Sequence, residues 1–441
     1  MLLASWGHPV RIHTKPAGDQ RLGVSLPPSC AKLFNAIGVS DAVERAGGVR
    51  STGNTVWWGG AEARVERFAD GERGWQVDLG QLSRVLLECA IAKGVDVDGS
   101  GASDSPAGSA ITLDCTGRAG VIARAKRVRR YQKSPRTIAL VGEWERSDAW
   151  PVPDQSHTLI ESYVDGWMWS VPVGGVRHVA AMVDPQRTNL AHGGSSEVYL
   201  GEIGKTRQFK KLTAGATLRG GARGWDASQY DATSYAGDGW LLVGDAASFV
   251  DPLSSAGVKK ALASAWLAAI AAHTCLTSPS MAAHARSFFD AREREIATDL
   301  FGEQKRFLAA AATGHHHVFW DERADDTPQL ADDRALVMKA FVTLRAADRL
   351  SMTVGPGVSI EVRPCIRGNQ IVLEPHVIGK QLGGTRYIRN VDVVAILELA
   401  PAATSVPGLY EAYLQRVGPT PLDGFLAALA TAVSRRWLVA K

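Results

Sequence analysis

Gly244, Asp245 and Gly257 frame the stretch of this sequence with the clearest chemical content: Gly239-Trp-Leu-Leu-Val-Gly-Asp-Ala-Ala-Ser-Phe-Val-Asp-Pro-Leu-Ser-Ser-Ala-Gly-Val258. Trp240 to Val243 predicts a short buried strand, Gly244-Asp245 a turn, and the segment through Pro252, Ser255, Ala256 and Gly257 a loop feeding a helix. A carboxylate at a strand end can accept hydrogen bonds from sugar-like hydroxyls; it can equally cap a turn or helix. Gly257 and Val258 at a helix start would let exposed backbone N–H groups approach an electron-rich ligand. Gly257 also removes a Cβ where a flat ring would come close, although a glycine here is also plain turn punctuation. Pro252 fixes the loop backbone.

Trp167 and Trp169 are two residues apart in a segment that reads as a strand, so their indoles point to one face. Beside Pro172 and Gly174-Gly175, the pair can wall a substrate tunnel or stack an aromatic ring; it can also be core filler. Asp114-Cys-Thr-Gly-Arg118 ends a strand in a turn, where Arg118 is either a ligand contact or a surface cation. His315-His-His317 invites a metal, but three consecutive residues on a helix cannot face one ion and no carboxylate or cysteine cluster accompanies them. No metal site is expected.

The elements that must position these residues follow from patterning. Leu2 to Gly7 reads as a helix tail, Val10 to Thr14 as a strand, and Leu26-Pro-Pro-Ser29 as a helix start with Ser29 at the N-cap. Asp78 to Lys93 has Leu82, Val85, Leu86 and Cys89 at helical spacing. Residues 98–109 are a small-residue linker. Strands are expected at 137–143, 158–164, 167–173 and 177–183, as an antiparallel sheet within 137–215. A long helical region covers 281–313. Beyond it, a hairpin (358–362 with 370–377) and helices at 391–399, 408–417 and 422–434 suit a winged-helix-like module, among other small α+β arrangements.

At 441 residues the chain is long enough for two or three domains. A net charge of +4 over that length is too weak to imply nucleic acid or an acidic membrane. The five cysteines are scattered, odd in number and without C-x-x-C spacing, which favours a reducing cytoplasm over disulfides or zinc. No apolar run reaches the roughly 18 residues of a spanning helix, and no signal peptide is evident.

In chain order, Gly7-His-Pro-Val-Arg-Ile-His-Thr-Lys15, Leu22-Gly-Val-Ser-Leu-Pro-Pro28, Asp114 to Arg118, Gly166-Trp-Met-Trp-Ser-Val-Pro172 and Gly244 to Gly257 resemble the flavin-dependent aromatic hydroxylases, in their tryptophan halogenase-like branch. The resemblance covers about residues 1–330. It implies an α/β fold: a Rossmann-like FAD-binding domain of hydroxylase type (1–136 with 216–331), an antiparallel β substrate domain (137–215) and a small α+β C-terminal module (332–441). It further implies FAD held by Gly244, Asp245, Pro252, Ser255, Ala256, Gly257, Val258 and Arg118, with Trp167, Trp169, Pro172 and Arg50 at the reaction site. The activity it implies is hydroxylation of an indole or tryptophan-like ring, free or in a peptide, through a flavin hydroperoxide, with NAD(P)H or a separate flavin reductase as electron source.

The sequence departs from that family in three places. The residues given begin inside the first helix of the dinucleotide unit, so the N-terminal Gly-x-Gly-x-x-Gly is missing, and Thr14 stands where a ribose-binding acid is usual. Leu79 follows Val77-Asp78 where the family has an arginine. Val49 to Trp58 contains no lysine, and Arg50 is its only cation. An arginine stays protonated and is a poor substitute for the halogenases' lysine, which disfavours halogenation relative to oxygenation. The alternatives are a flavin-dependent halogenase and a flavin-free relic kept for binding or scaffolding.

Overall fold

The computed structural model describes all residues except 16–21, 102–105, 107, 189, 191–193, 252, 254, 255, 325–332, 347, 348, 380, 381 and 441. The chain divides into two compact units, Met1–Thr327 and Pro328–Lys441.

The first unit is built on a seven-stranded sheet in the order Thr217–Asp226, Ile138–Glu145, Val176–Val183, Gly166–Val173, Thr158–Tyr163, Gly53–Trp57, Arg64–Arg67. Neighbours are antiparallel except Thr158–Tyr163 and Gly53–Trp57, which run parallel. The sheet thus draws on strands either side of 137–215. Its side chains alternate between two cores, as the twofold pleat requires. Val141, Ile160, Trp167, Ala180 and Met182 point one way, against Leu308, Phe319 and Trp320 of the helical region. Leu140, Leu159, Met168, Val179 and Ala181 point the other way, against Tyr199, Ile203, Phe209 and Leu212. Those last four come from helices Ser195–Lys205 and Gln208–Thr213, which cover the far face of the sheet.

Shorter pieces surround this sheet. Arg11–His13 pairs parallel with Asp96–Asp98, and Trp240–Leu242 pairs parallel with Thr112–Asp114. Gly74–Asp78 lies between Gly23–Leu26 and Val49–Ser51. Asp78 closes that strand and caps helix Leu79–Ala92, its side chain accepting from the Gln81 N–H. Ser29 does not act in the expected way: it has helical backbone angles itself, and its side chain makes no cap bond to helix Cys30–Ala36. Helices Gly257–Thr277 and Ala282–Ala312 complete the unit. No helix among the described residues is long and apolar enough to cross a membrane.

The second unit has its own core of Ile396, Leu409, Tyr413, Phe425 and Leu429. Hairpin Ser359–Arg367 with Gln370–Gly379 and helices Val393–Leu399, Val406–Val417 and Leu422–Ser434 match the expected elements closely. Asp392 caps the first of these helices by accepting from the Val394 and Ala395 N–H groups.

Candidate functional site

Trp240–Leu242 ends in the turn Gly244–Ala246, and the turn backs onto helix Gly257–Thr277. Gly244 has φ +60°, and a Cβ there would stand 3.1 Å from the Cβ of Ala261. Only glycine gives the chain both that left-handed angle and that close approach. The turn presents the side chain of Asp245, about a third exposed, to a cavity of about 180 Å³.

The opposite wall is the sheet. Trp167, Trp169 and Val171 lie on it at alternate positions of one strand. Pro172, expected at the reaction site, is half-buried and absent from the wall, because the same alternation turns it away from Val171. The indole N–H of Trp169 is buried with no hydrogen-bond partner. A buried donor left unpaired is costly, so a ligand acceptor at this point would satisfy it.

Ala256, Gly257 and Val258 line the cavity at the helix start. A Cβ built on Gly257 would meet no atom within 4 Å, so the glycine adds open space to the wall. Pro252 and Ser255 lie outside the described residues. Asp251 also lines the cavity. Burial pushes its carboxyl up to about 7, while the Leu253 N–H that it accepts and the charge of Arg323 act the other way. Leu79 faces the cavity and offers no polar group.

Two sequence candidates are placed elsewhere. Arg118 is behind the wall: its guanidinium lies 4.2 Å from the ring centre of Phe249, donates to the Ser228 carbonyl and pairs with Asp226. Arg50 is exposed, pairs with Glu44 and covers the ring of Trp75 at 4.6 Å. It takes no part in the cavity: its strand, Val49–Ser51, is the far edge of the three-stranded sheet whose opposite edge, Gly23–Leu26, lends Val24 and Ser25 to the cavity wall. The histidine triplet is structural. His315 stacks on Trp320 and His317 accepts the Phe319 N–H at a helix start. No group of metal-binding side chains is found among the described residues.

Sequence reasoning missed Lys260. Its side chain is buried at the cavity edge with Nζ 3.2 Å from Asp245 Oδ1. The signal was present: residues 260, 264, 267, 268 and 271 fall on one helical face, and all are buried. Asn54, Trp58, Arg64, Glu66, Phe68 and Phe307 line a second cleft, which shares Ser25, Ile160 and Leu253 with the first. The arrangement suits a flat ring bearing a hydroxylated chain in the first cavity, with a second molecule alongside it.

No family model matches the chain. Among curated proteins it is similar to a tryptophan 2-halogenase of Chondromyces crocatus, 27% identical over 321 residues, covering 65% of this chain and 61% of that protein. The chain spans about a third to about two thirds of the length of the curated relatives it matches. Among solved structures, the flavin-dependent halogenase CmlS superposes with a TM-score of 0.81 at 19% identity, covering 99% of this chain and 92% of that one. The peptidyl tryptophan dihydroxylase QhpG superposes with a TM-score of 0.70 at 18% identity, covering 98% and 95%.

Proposed function

We propose that this chain, which has the fold of the flavin-dependent halogenases and related FAD enzymes, is an FAD-dependent oxidoreductase that halogenates an aromatic substrate. The observation that carries the reading is the cavity between the Gly244–Ala246 turn and the Trp167/Trp169 strand. The halogenases among its relatives support halogenation over other flavin chemistry. Asp245 would accept from hydroxyls of the flavin's side chain, and Gly257 would leave room for the ring edge. The Trp169 N–H would donate to a ring or substrate acceptor. Trp167 and Trp169 keep that wall apolar, which excludes water from the reacting atoms. Bound and reduced, the flavin would supply the oxygen chemistry, and the protein orientation and a dry pocket.

A second reading, oxygenation without halide, is favoured by one observation. Val49 to Trp58 has no lysine, and its only cation, Arg50, is turned outward onto Glu44. The likeness in fold to QhpG accommodates this reading, and the substrate is then an indole-like ring, free or within a peptide. Under either reading a separate flavin reductase or NAD(P)H supplies electrons. Five free cysteines support a reducing compartment such as the cytoplasm.

The deciding experiment incubates the full chain with FAD, NAD(P)H, a flavin reductase and a panel of indoles, with chloride, with bromide or with neither. Halogenation predicts product masses that track the halide. One oxygenated product in all three conditions would displace it in favour of oxygenation. A protein that stays colourless after incubation with FAD would sink both and leave the flavin-free binding role.

A further inference from the structure

We propose that Lys260 is a positioning residue that grips the Gly244–Ser248 turn and aims Asp245 at a hydroxyl-bearing ligand; the inference rests on the reading that this cavity takes FAD.

Lys260 is the second of two adjacent lysines near the start of helix Gly257–Thr277. Lys259 is exposed, whereas Lys260 is buried on the helix face toward the turn. Its Nζ reaches four acceptors, all within five residues: the Gly244 carbonyl at 3.4 Å, the Ser248 carbonyl, Ser248 Oγ at 3.3 Å and Asp245 Oδ1 at 3.2 Å. One helical turn later, Ser264 Oγ accepts the Gly244 N–H at 3.0 Å. The helix therefore holds the turn by its carbonyls and by its N–H at once.

Closing the turn does not itself require a lysine. The Ala247 and Ser248 N–H groups already bond back to the Gly244 carbonyl. A buried ammonium carries a large desolvation penalty, which an apolar side chain of similar length would avoid. Beyond its bonds to the Ser248 carbonyl and hydroxyl, the ammonium adds the ion pair with Asp245, which no apolar side chain could make. That ion pair holds the Asp245 carboxylate against the helix start at the cavity wall, where it can accept from a ligand hydroxyl. The Lys260 charge also offsets the repulsion a bare carboxylate would exert on an electron-rich ligand. The other ionisable group facing Lys260 is Glu293, buried on helix Ala282–Ala312 and bonded to the Ser264 hydroxyl.

The test titrates FAD into the purified full chain and follows quenching of flavin fluorescence. Lys260→Met should weaken FAD binding by about tenfold, or about 1.4 kcal/mol, and Lys260→Arg should recover most of the loss. Lys259→Met, on the exposed face, should bind like wild type. Because Lys260 acts through Asp245, the double variant Lys260→Met/Asp245→Asn should bind no more weakly than Asp245→Asn alone. A purely structural lysine would instead give effects that multiply. Lys260→Gln replaces the Met variant if that chain does not fold. Equal FAD affinity in wild type and Lys260→Met, or independent effects in the double variant, overturns the inference alone. A wild-type chain that binds no FAD overturns the cofactor reading, and this inference with it.

Discussion

Nε2 of His315 lies 2.8 Å from Oγ of Ser162, which ties the first histidine of the triplet to the central sheet. The same Oγ accepts the Gly59 N–H at 2.8 Å, so the Ser162 hydroxyl proton is left for the imidazole. Burial lowers the pKa of His315 and so favours its neutral form. A histidine whose folded pKa is depressed gives stability that is complete above its unfolded value of about 6.5 and is lost as pH falls below it. His315→Ala should therefore destabilise the chain by about 1–3 kcal/mol at pH 7.5, and by less at pH 5.5. Urea unfolding at both pH values checks this. A chelator should leave both unfolding curves unchanged, since these histidines serve packing and hydrogen bonding.

The unpaired indole N–H of Trp169 makes a prediction with opposite signs in the free and bound protein. Trp169→Phe keeps a ring on the wall and removes a buried donor that has no partner. The free protein should be as stable as wild type or more stable by about 1 kcal/mol. If a flavin or substrate acceptor uses that N–H, affinity should drop by about five- to tenfold. Thermal unfolding and FAD titration of one variant give both numbers. A loss of stability with unchanged affinity would make Trp169 core filler.

Arg50→Ala should be close to silent. Its ion pair with Glu44 joins two largely exposed side chains, and such pairs contribute about 0–1 kcal/mol. FAD affinity and turnover should remain within roughly twofold of wild type. A larger loss of turnover would return Arg50 to the reaction site.

Much of the site was legible because its signals are local. Asp78 before a helical repeat marks the start of Leu79–Ala92, and alternation places Trp167 and Trp169 on one wall. The Gly244–Asp245 turn follows from glycine's access to positive φ. What escaped detection depends on distant pairing. Nothing in Gly53–Trp57 announces that it will pair in parallel with residues a hundred positions later, nor anything in Val49–Ser51 that it will pair with Gly74–Asp78 and set Arg50 beside Trp75. Pro172 was misplaced because its neighbours' face was read as its own. Lys260 was hidden by Lys259, since two consecutive lysines look like a solvated surface until the burial of Ser264 and Leu267 fixes the helix phase.

The buried carboxyl of Glu293 links this helix face to the pH dependence of stability. Glu293 is 2% exposed, and its Oε1 has no hydrogen-bond partner. Burial pushes its pKa up to about 7 from an ordinary 4.5, with the Ser264 hydroxyl and the charge of Lys260 acting the other way. A carboxyl whose folded pKa is raised gives stability that is complete below its unfolded pKa and is lost as pH rises through the folded one. At 1.36 kcal/mol for each pH unit between those two values, wild type should lose about 3 kcal/mol at this site between pH 4 and pH 8. Glu293→Gln is neutral throughout and keeps an acceptor for the Ser264 hydroxyl, so it escapes that loss. Relative to wild type, the variant should gain about 3 kcal/mol across this range, measured as the difference between urea unfolding free energies at pH 4, 6 and 8. A difference that stays flat with pH would mean that the Glu293 carboxyl has the same pKa in the folded and unfolded chain, its burial fully offset by the Ser264 hydroxyl and the Lys260 charge.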